Sequence, residues 1–291
     1  MRVAVAGAGS AVGCCAVPWL QDAGHEVVSL GRSMRSLLDV DRMAGLLSGC
    51  DVALHLTPPA PPGFSVAAWS RDWRLHDLTL TLGVQRLLEA ARAAGVRRVV
   101  AQSASLVYAD QGEDWITEGS PVCVTSATEP ASEGELAVQE FAAEPCHTGV
   151  ILRMGQLVGD CHHTEHSLRK AARGKAVAVG EPEGFVHLIH SDDVGPAIEA
   201  AMTIGSGVYN VGADPVRRSE LADRLAAAVG RDRGAFLGPL RRRLGGDRLE
   251  PLQRSLRVSS TSFTHATGWM PRRNSLDATW FELPPRAGAL R

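Results

Sequence analysis

The chain has 291 residues, 45% of them apolar and 21% charged, with a formal net charge of -2. That balance is ordinary for a globular protein and gives no electrostatic basis for binding nucleic acid or an anionic membrane. A length of this order fits one large α/β domain or a domain with a smaller appendage, at ~100–200 residues per domain.

The amino-terminal stretch MRVAVAGAG runs straight into a β-type segment and glycines, without the basic, apolar and cleavage regions of a secretory signal. No apolar run reaches the ~18 residues of a membrane span. A cytoplasmic protein is expected, with Cys14, Cys15, Cys50, Cys123, Cys146 and Cys161 reduced and, at their spacing, not a zinc site. Cys14 and Cys15, adjacent in a predicted helix, read as small buried side chains.

Short Val-, Ile- and Leu-rich runs predict strands at 2–6, 26–30, 51–56, 97–102 and 149–153, with helical stretches between them. Such alternation predicts an α/β fold, a Rossmann-type doubly wound parallel sheet with helices on both faces. The clearest helix is LTLGVQRLLEAARAAG, residues 80–95, closed by Gly95. TPPAPPG, 57–63, is a loop because its prolines lack donors and fix φ, and it sits at a strand's carboxyl end, where open α/β sheets bind ligands. DCHHTEHSLRKAARGK, 160–175, reads as a loop leading into a short helix. Two further strand and helix pairs follow, then a basic, less regular stretch at 237–257. Residues 1–160 are expected to form the nucleotide-binding domain, helped by about 186–212, and 161–291 mainly a small substrate-binding region.

RVAVAGAGSAVG is a strand, then Gly7-x-Gly9-x-x-x-Gly13, then a helix. Glycines there let the backbone turn tightly and approach a pyrophosphate, whose charge the helix amino end stabilises. The loop residues Gly7, Gly9, Ser10, Ala11, Val12 and Gly13 are therefore cofactor candidates. An NAD site places an acidic residue after the second strand, about 20 residues past the first glycine. Here HEVVSLGRS offers Arg32, whose guanidinium can pair with a 2′-phosphate, so NADP(H) is favoured over NAD(H).

The stretches VAGAGSAVG, DVD at 39–41, CDVALHLTPP, GVQRLLEAARAAGVRRVVAQSASLVYA, ILRMGQLVG, FVHLIHSDDV and GVYNVG, in this order, resemble the extended short-chain dehydrogenases/reductases of the NAD-dependent epimerase/dehydratase type. The resemblance covers nearly the whole chain. It implies that Asp39 and Val40 line an adenine pocket, that Leu56 and Thr57 flank the cofactor ribose, and that Met154, Gln156 and Leu157 pass under the nicotinamide. It also implies that His190 and Asp192 pack and cap a strand-to-helix junction, and that dimers form through helices at about 74–94 and 131–144. The alanine-rich faces of those helices fit a homodimer and intramolecular burial equally.

Two departures matter. Ser10 stands where the family has a glycine, and the family's active-site tyrosine and lysine, four residues apart, fall on Ala131 and Glu135. The only lysines are Lys170 and Lys175 and the only tyrosines Tyr108 and Tyr209, so no alignment slip restores the pair. In the family the lysine lowers the phenol's pKa and the phenol supplies the proton that accompanies hydride transfer. The catalytic candidates left are Ser105 and Tyr108 at the end of the fourth strand, beside Ser103 as a cofactor contact, and Glu135 as a general base. Packed rings and a solvated helix face carrying Glu133 and Glu135 are the competing readings. Trp69, Trp73, His162 and His187 are substrate-pocket candidates, with His163 and His166 beside them, and no metal site is assigned.

Three functions follow. The first is an atypical NADP(H)-dependent oxidoreductase acting on a small, apolar or polyketide-like metabolite. The second keeps the fold but isomerises, cyclises or dehydrates. The third is a non-enzymatic NADP(H) sensor.

Overall fold

A computed structural model describes residues 1–31, 38–56 and 71–282. Ten strands are present among them: β1 (Arg2–Ala6), β2 (Glu26–Ser29), β3 (Val52–His55), β4 (Arg98–Ala104), β5 (Thr148–Met154), β6 (Gln156–Val158), β7 (Phe185–Val186), β8 (Leu188–His190), β9 (Gly207–Val211) and β10 (Val216–Arg217). Six of them form one parallel sheet in the order β2-β1-β3-β4-β5-β9. This is the expected Rossmann-type sheet, and its five predicted strands lie within a residue or two of their observed positions. Two two-stranded sheets, β6 with β8 and β10 with β7, lie outside it.

Strand alternation explains the two cores. Val3 and Val5 of β1 face one way, onto Val12, Ala16 and Leu20 of the helix Ala11–Asp22 and Val194 and Ile198 of the helix Ser191–Ala201. Ala4 and Ala6 face the other way, toward Met43, Leu87, Leu88, Val138 and Phe141 of the helices Val40–Leu47, Val84–Ala94 and Glu129–Ala143. All of these side chains are nearly or fully removed from water, which is the main force holding the layers together, at about 25 cal/mol per Å² of apolar surface.

The predicted helix 80–95 differs at its start. Residues Thr79–Gly83 form a wide, π-type turn that joins the helix Arg71–Leu78 to Val84–Ala94. Close packing accompanies it: a Cβ on Gly134 of the neighbouring helix would lie 2.5 Å from the Leu80 carbonyl oxygen. Gly95 closes the far end at φ +74, where a left-handed residue lets its amide and that of Val96 satisfy the last carbonyls. Another correction concerns the cysteines: Cys14 is exposed and Cys15 only partly buried on the first helix, because the apolar stripe runs through Val12, Ala16 and Leu20. No helix among the described residues is long and apolar enough to cross a membrane.

Candidate functional site

The glycine loop has the shape a dinucleotide requires. Gly7 sits at φ +89, and a Cβ there would fall 1.8 Å from the Leu56 carbonyl oxygen, while one on Gly13 would lie 2.2 Å from the Gly7 oxygen. Both glycines are demanded by the turn itself. Among the described residues no atom lies within 4 Å of a Cβ built on Gly9, so these residues leave open a face on which a ligand could approach the backbone. Ser10 caps the helix by accepting from the Gly13 amide at 2.9 Å, and so replaces the family's glycine with an N-cap. These residues fit a bound pyrophosphate at the positive end of that helix. Asp39 caps the helix Val40–Leu47, accepting from the Arg42 amide at 3.1 Å.

A cavity of about 370 Å³ opens beyond this loop, over the carboxyl ends of β4 and β5. Ala11, Val12, Ser103, Met154, Gln156 and Leu157 line it, so the sequence candidates for loop and nicotinamide contact share one space. Trp73 lines it as well, beneath the Arg248 guanidinium, which stands 4.7 Å above its ring and pairs with Asp77 at 2.5 Å. That guanidinium and the neighbouring His76 hold the Asp77 carboxyl below its usual range even though burial pushes it up.

Sheet register builds the floor. Ser103 of β4 faces Arg153 of β5, which faces Asn210 of β9, giving a polar row across three strand ends. Glu135, from the helix packed over that row, closes it. Arg153 donates to Glu135 through Nε at 3.0 and 3.2 Å and through a terminal nitrogen at 2.6 Å, and Ser103 donates at 2.5 Å. Both charged side chains are under a tenth exposed. Burial opposes the Arg153 charge, but the bonds and field of Glu135 more than offset it and raise its pKa. Glu135 is therefore an ion-pair partner beneath Ser103, whereas Glu133 is exposed to solvent. Gln102, Ser103, Ala104, Thr128 and Ala131 form the adjoining cavity wall, which carries no ionisable group.

Several sequence candidates lie elsewhere. Tyr108 is fully enclosed, its hydroxyl donating to Asn210 at 2.7 Å and its ring 4.7 Å beneath Arg153. Burial pushes its pKa up. Arg254 pins the loop by donating to the carbonyls of Leu106 and Tyr108, which turns the phenol inward rather than toward the cavity. Ser105 is also buried away from the lining. His187 packs against Gly212, with both ring nitrogens lacking a hydrogen-bond partner among the described residues, and burial lowers its pKa to about 3. It belongs to the core rather than to a substrate wall. His162 is exposed at the start of the helix His162–Ala172, so the pocket candidates there are His163 and His166 instead. Arg32, Thr57 and Trp69 lie outside the described residues. His190 caps its helix, accepting from the Asp192 amide at 3.2 Å.

Sequence reasoning missed Ser167, Lys170 and Arg248. The first two had a signal, since 163, 166, 167 and 170 recur at helical spacing and all reach the cavity. Arg248 had none, because it arrives from a distant segment. Among the described residues no group of three or more His, Cys, Asp or Glu side chains could hold a metal ion.

A Rossmann sheet, a glycine loop and a cavity over the strand ends define a Rossmann-type α/β protein. The model for the NAD dependent epimerase/dehydratase family matches residues 3–212, and the chain belongs to that family. It is 30% identical over 306 aligned residues to a 3-diazoavenalumate denitrifying reductase from a Streptomyces species, spanning 94% of this chain and 97% of that protein. Among solved structures it resembles the human epimerase family protein SDR39U1 with NADPH, at a TM-score of 0.81 and 22% identity over 97% of this chain and 98% of that one. MoeE5 with UDP-glucuronic acid and NAD gives 0.77 and 24% over 97% and 98%. The UDP-glucose 4-epimerase of Thermotoga maritima gives 0.76 and 19%, over 97% of each chain.

Proposed function

We propose that the protein is a nicotinamide-dependent reductase of a small, largely apolar molecule, and that its acceptor is an electrophile needing no proton from the enzyme. One observation carries this: the part of the wall where the family's acid would stand, Gln102, Ser103, Ala104, Thr128 and Ala131, has no ionisable group, the cavity's His76, His163, His166, Lys170 and Arg248 stand on other elements, and the nearby carboxylate of Glu135 is committed to Arg153 and Ser103. By resemblance, Ala131 and Glu135 occupy the places of the family's tyrosine and lysine.

Carbonyl reduction leaves an alkoxide that must be protonated, which is the work of that tyrosine. An arenediazonium already carries positive charge, so no alkoxide forms. When bound, a reduced nicotinamide supplies a hydride, and the balanced change is ArN₂⁺ + NAD(P)H → ArH + N₂ + NAD(P)⁺. The similarity to a diazo-acting reductase supports this acceptor class. The residues' own work is then binding, orientation and exclusion of water: Gly7, Gly9, Ser10 and Gly13 would hold the pyrophosphate, and Met154, Gln156 and Leu157 the nicotinamide end. NADP(H) is favoured over NAD(H) through Arg32.

The test is anaerobic incubation with NADPH or NADH and an arenediazonium carboxylic acid that has no ionisable hydroxyl on the ring, following absorbance at the nicotinamide band and N₂ by mass spectrometry, with heat-denatured protein as the control. One N₂ per nicotinamide oxidised is expected, and no turnover of the matching aldehyde. Aldehyde reduction without diazo consumption refutes the reading.

A further inference from the structure

We propose that Ser103, at the carboxyl end of β4, is a specificity-determining residue that only accepts hydrogen bonds, and that it selects an otherwise apolar substrate carrying a hydroxyl or N–H donor. The inference deepens the reductase reading and rests on it for that ligand's being the substrate, but the preference for a donor stands on separate observations.

First, the hydroxyl proton of Ser103 is already spent. Glu135 is held as a carboxylate by its contacts with Arg153, and a carboxylate only accepts, so the 2.5 Å contact is a bond that Ser103 donates. What remains on its Oγ is lone pairs, and donation to a charged partner makes them stronger acceptors. Second, Ser103 stands where two spaces meet. It lines the large cavity and also a recess of about 10 Å³ that Ala131, Gly134 and Glu135 close from the helix side, and Ser103 and Ala131 border both. The recess has room for one hydroxyl-sized group, and Ala131 puts only a methyl group at its mouth. Third, the other hydroxyl of this wall is occupied within its own turn: Thr128 accepts from the Thr125 amide at 2.9 Å and donates to the Cys123 carbonyl at 3.1 Å. A ligand carbonyl therefore finds no hydroxyl proton here, whereas a ligand O–H or N–H finds the Ser103 oxygen. Ser103 and Thr128 are both buried, so water does not compensate a polar group that is wrongly matched against them.

The test is isothermal titration of the protein at pH 7 with 2-naphthol, 2-fluoronaphthalene and 2-naphthaldehyde, which share an apolar ring system and of which only the naphthol donates. The naphthol is expected to bind about tenfold more tightly than either of the others, a gap of about 1.4 kcal/mol. Ser103→Ala should bring the naphthol down to the level of the fluoro compound without weakening that compound. Ala131→Val, which fills the recess and leaves the bond between Ser103 and Glu135 in place, should also close the gap, and it carries the test if Ser103→Ala does not fold. Equal affinities in the wild type, a gap that survives either folded variant, naphthaldehyde binding as tightly as naphthol, or no heat with any probe would each overturn the role of Ser103. A naphthol gap with no diazo turnover instead refutes the reductase reading and leaves that role standing, and diazo turnover with equal affinities does the reverse.

Discussion

Replacing Glu135 by Ala removes the counter-charge of a guanidinium that is almost entirely buried and receives three of its contacts from that carboxylate. Arg153 cannot shed its proton and cannot reach water from β5, so the variant holds an uncompensated charge in the core. Breaking a buried pair from one side costs about 3–5 kcal/mol. Ser103 also loses its acceptor, which adds about 1 kcal/mol. At roughly 2–4 °C per kcal/mol for a chain of this size, the melting temperature should fall by roughly 10 °C. Glu135→Gln keeps an acceptor and should fall by less, whereas Glu135→Lys puts a second cation against Arg153 and should be worse than Ala. A double change, Glu135→Leu with Arg153→Met, removes both charges and should recover most of the loss. Thermal unfolding followed by circular dichroism, repeated in urea, measures all four. If Glu135→Ala melts within about 2 °C of the wild type, or the double variant is no better than Glu135→Ala, the ion pair does not organise this end of the sheet. The same argument predicts that adding Ala131→Tyr to Glu135→Lys does not create carbonyl reductase activity, because Arg153 remains beneath the new lysine.

Gly9→Ala should fold like the wild type, with a melting temperature unchanged within about 1 °C, yet lose at least about tenfold in NADPH affinity by fluorescence titration, because the space it fills is the ligand's. Gly7→Ala should fail in folding itself, since its Cβ meets the Leu56 carbonyl at 1.8 Å; matching behaviour in the two variants would contradict this division. His55 and His187 are buried neutral, at about 4 and about 3, below the ordinary value, so between those values and ~6.5 the unfolded chain binds more protons and stability is lost as the pH is lowered. From pH 7 to pH 5 each should cost about 2 kcal/mol, and His187→Leu should remove its share of the slope in urea titrations; parallel slopes would show that His187 titrates when folded. Arg32→Ala should reduce NADPH affinity at least about tenfold while leaving NADH affinity unchanged, and an equal loss for both would remove the 2′-phosphate contact.

Much of this molecule was written locally. The glycine loop, the Val-rich strands and the Gly95 stop depend on residues a few positions apart, and local sterics and periodicity fix them without help from the rest of the chain. That is why the parallel sheet is legible in the sequence. Tertiary structure decided the roles of the polar side chains. Glu135 and Glu133 sit on one helix two residues apart, yet one is buried against Arg153 and the other meets solvent, and only the packing of that helix over the β4–β5 register separates them. Tyr108 turned inward because Arg254, 146 positions away in the chain, holds its carbonyl. Lys170 and Arg248 share a cavity for the same reason: burial and charge pairing are set by what the fold brings near, and spacing along the sequence does not encode it.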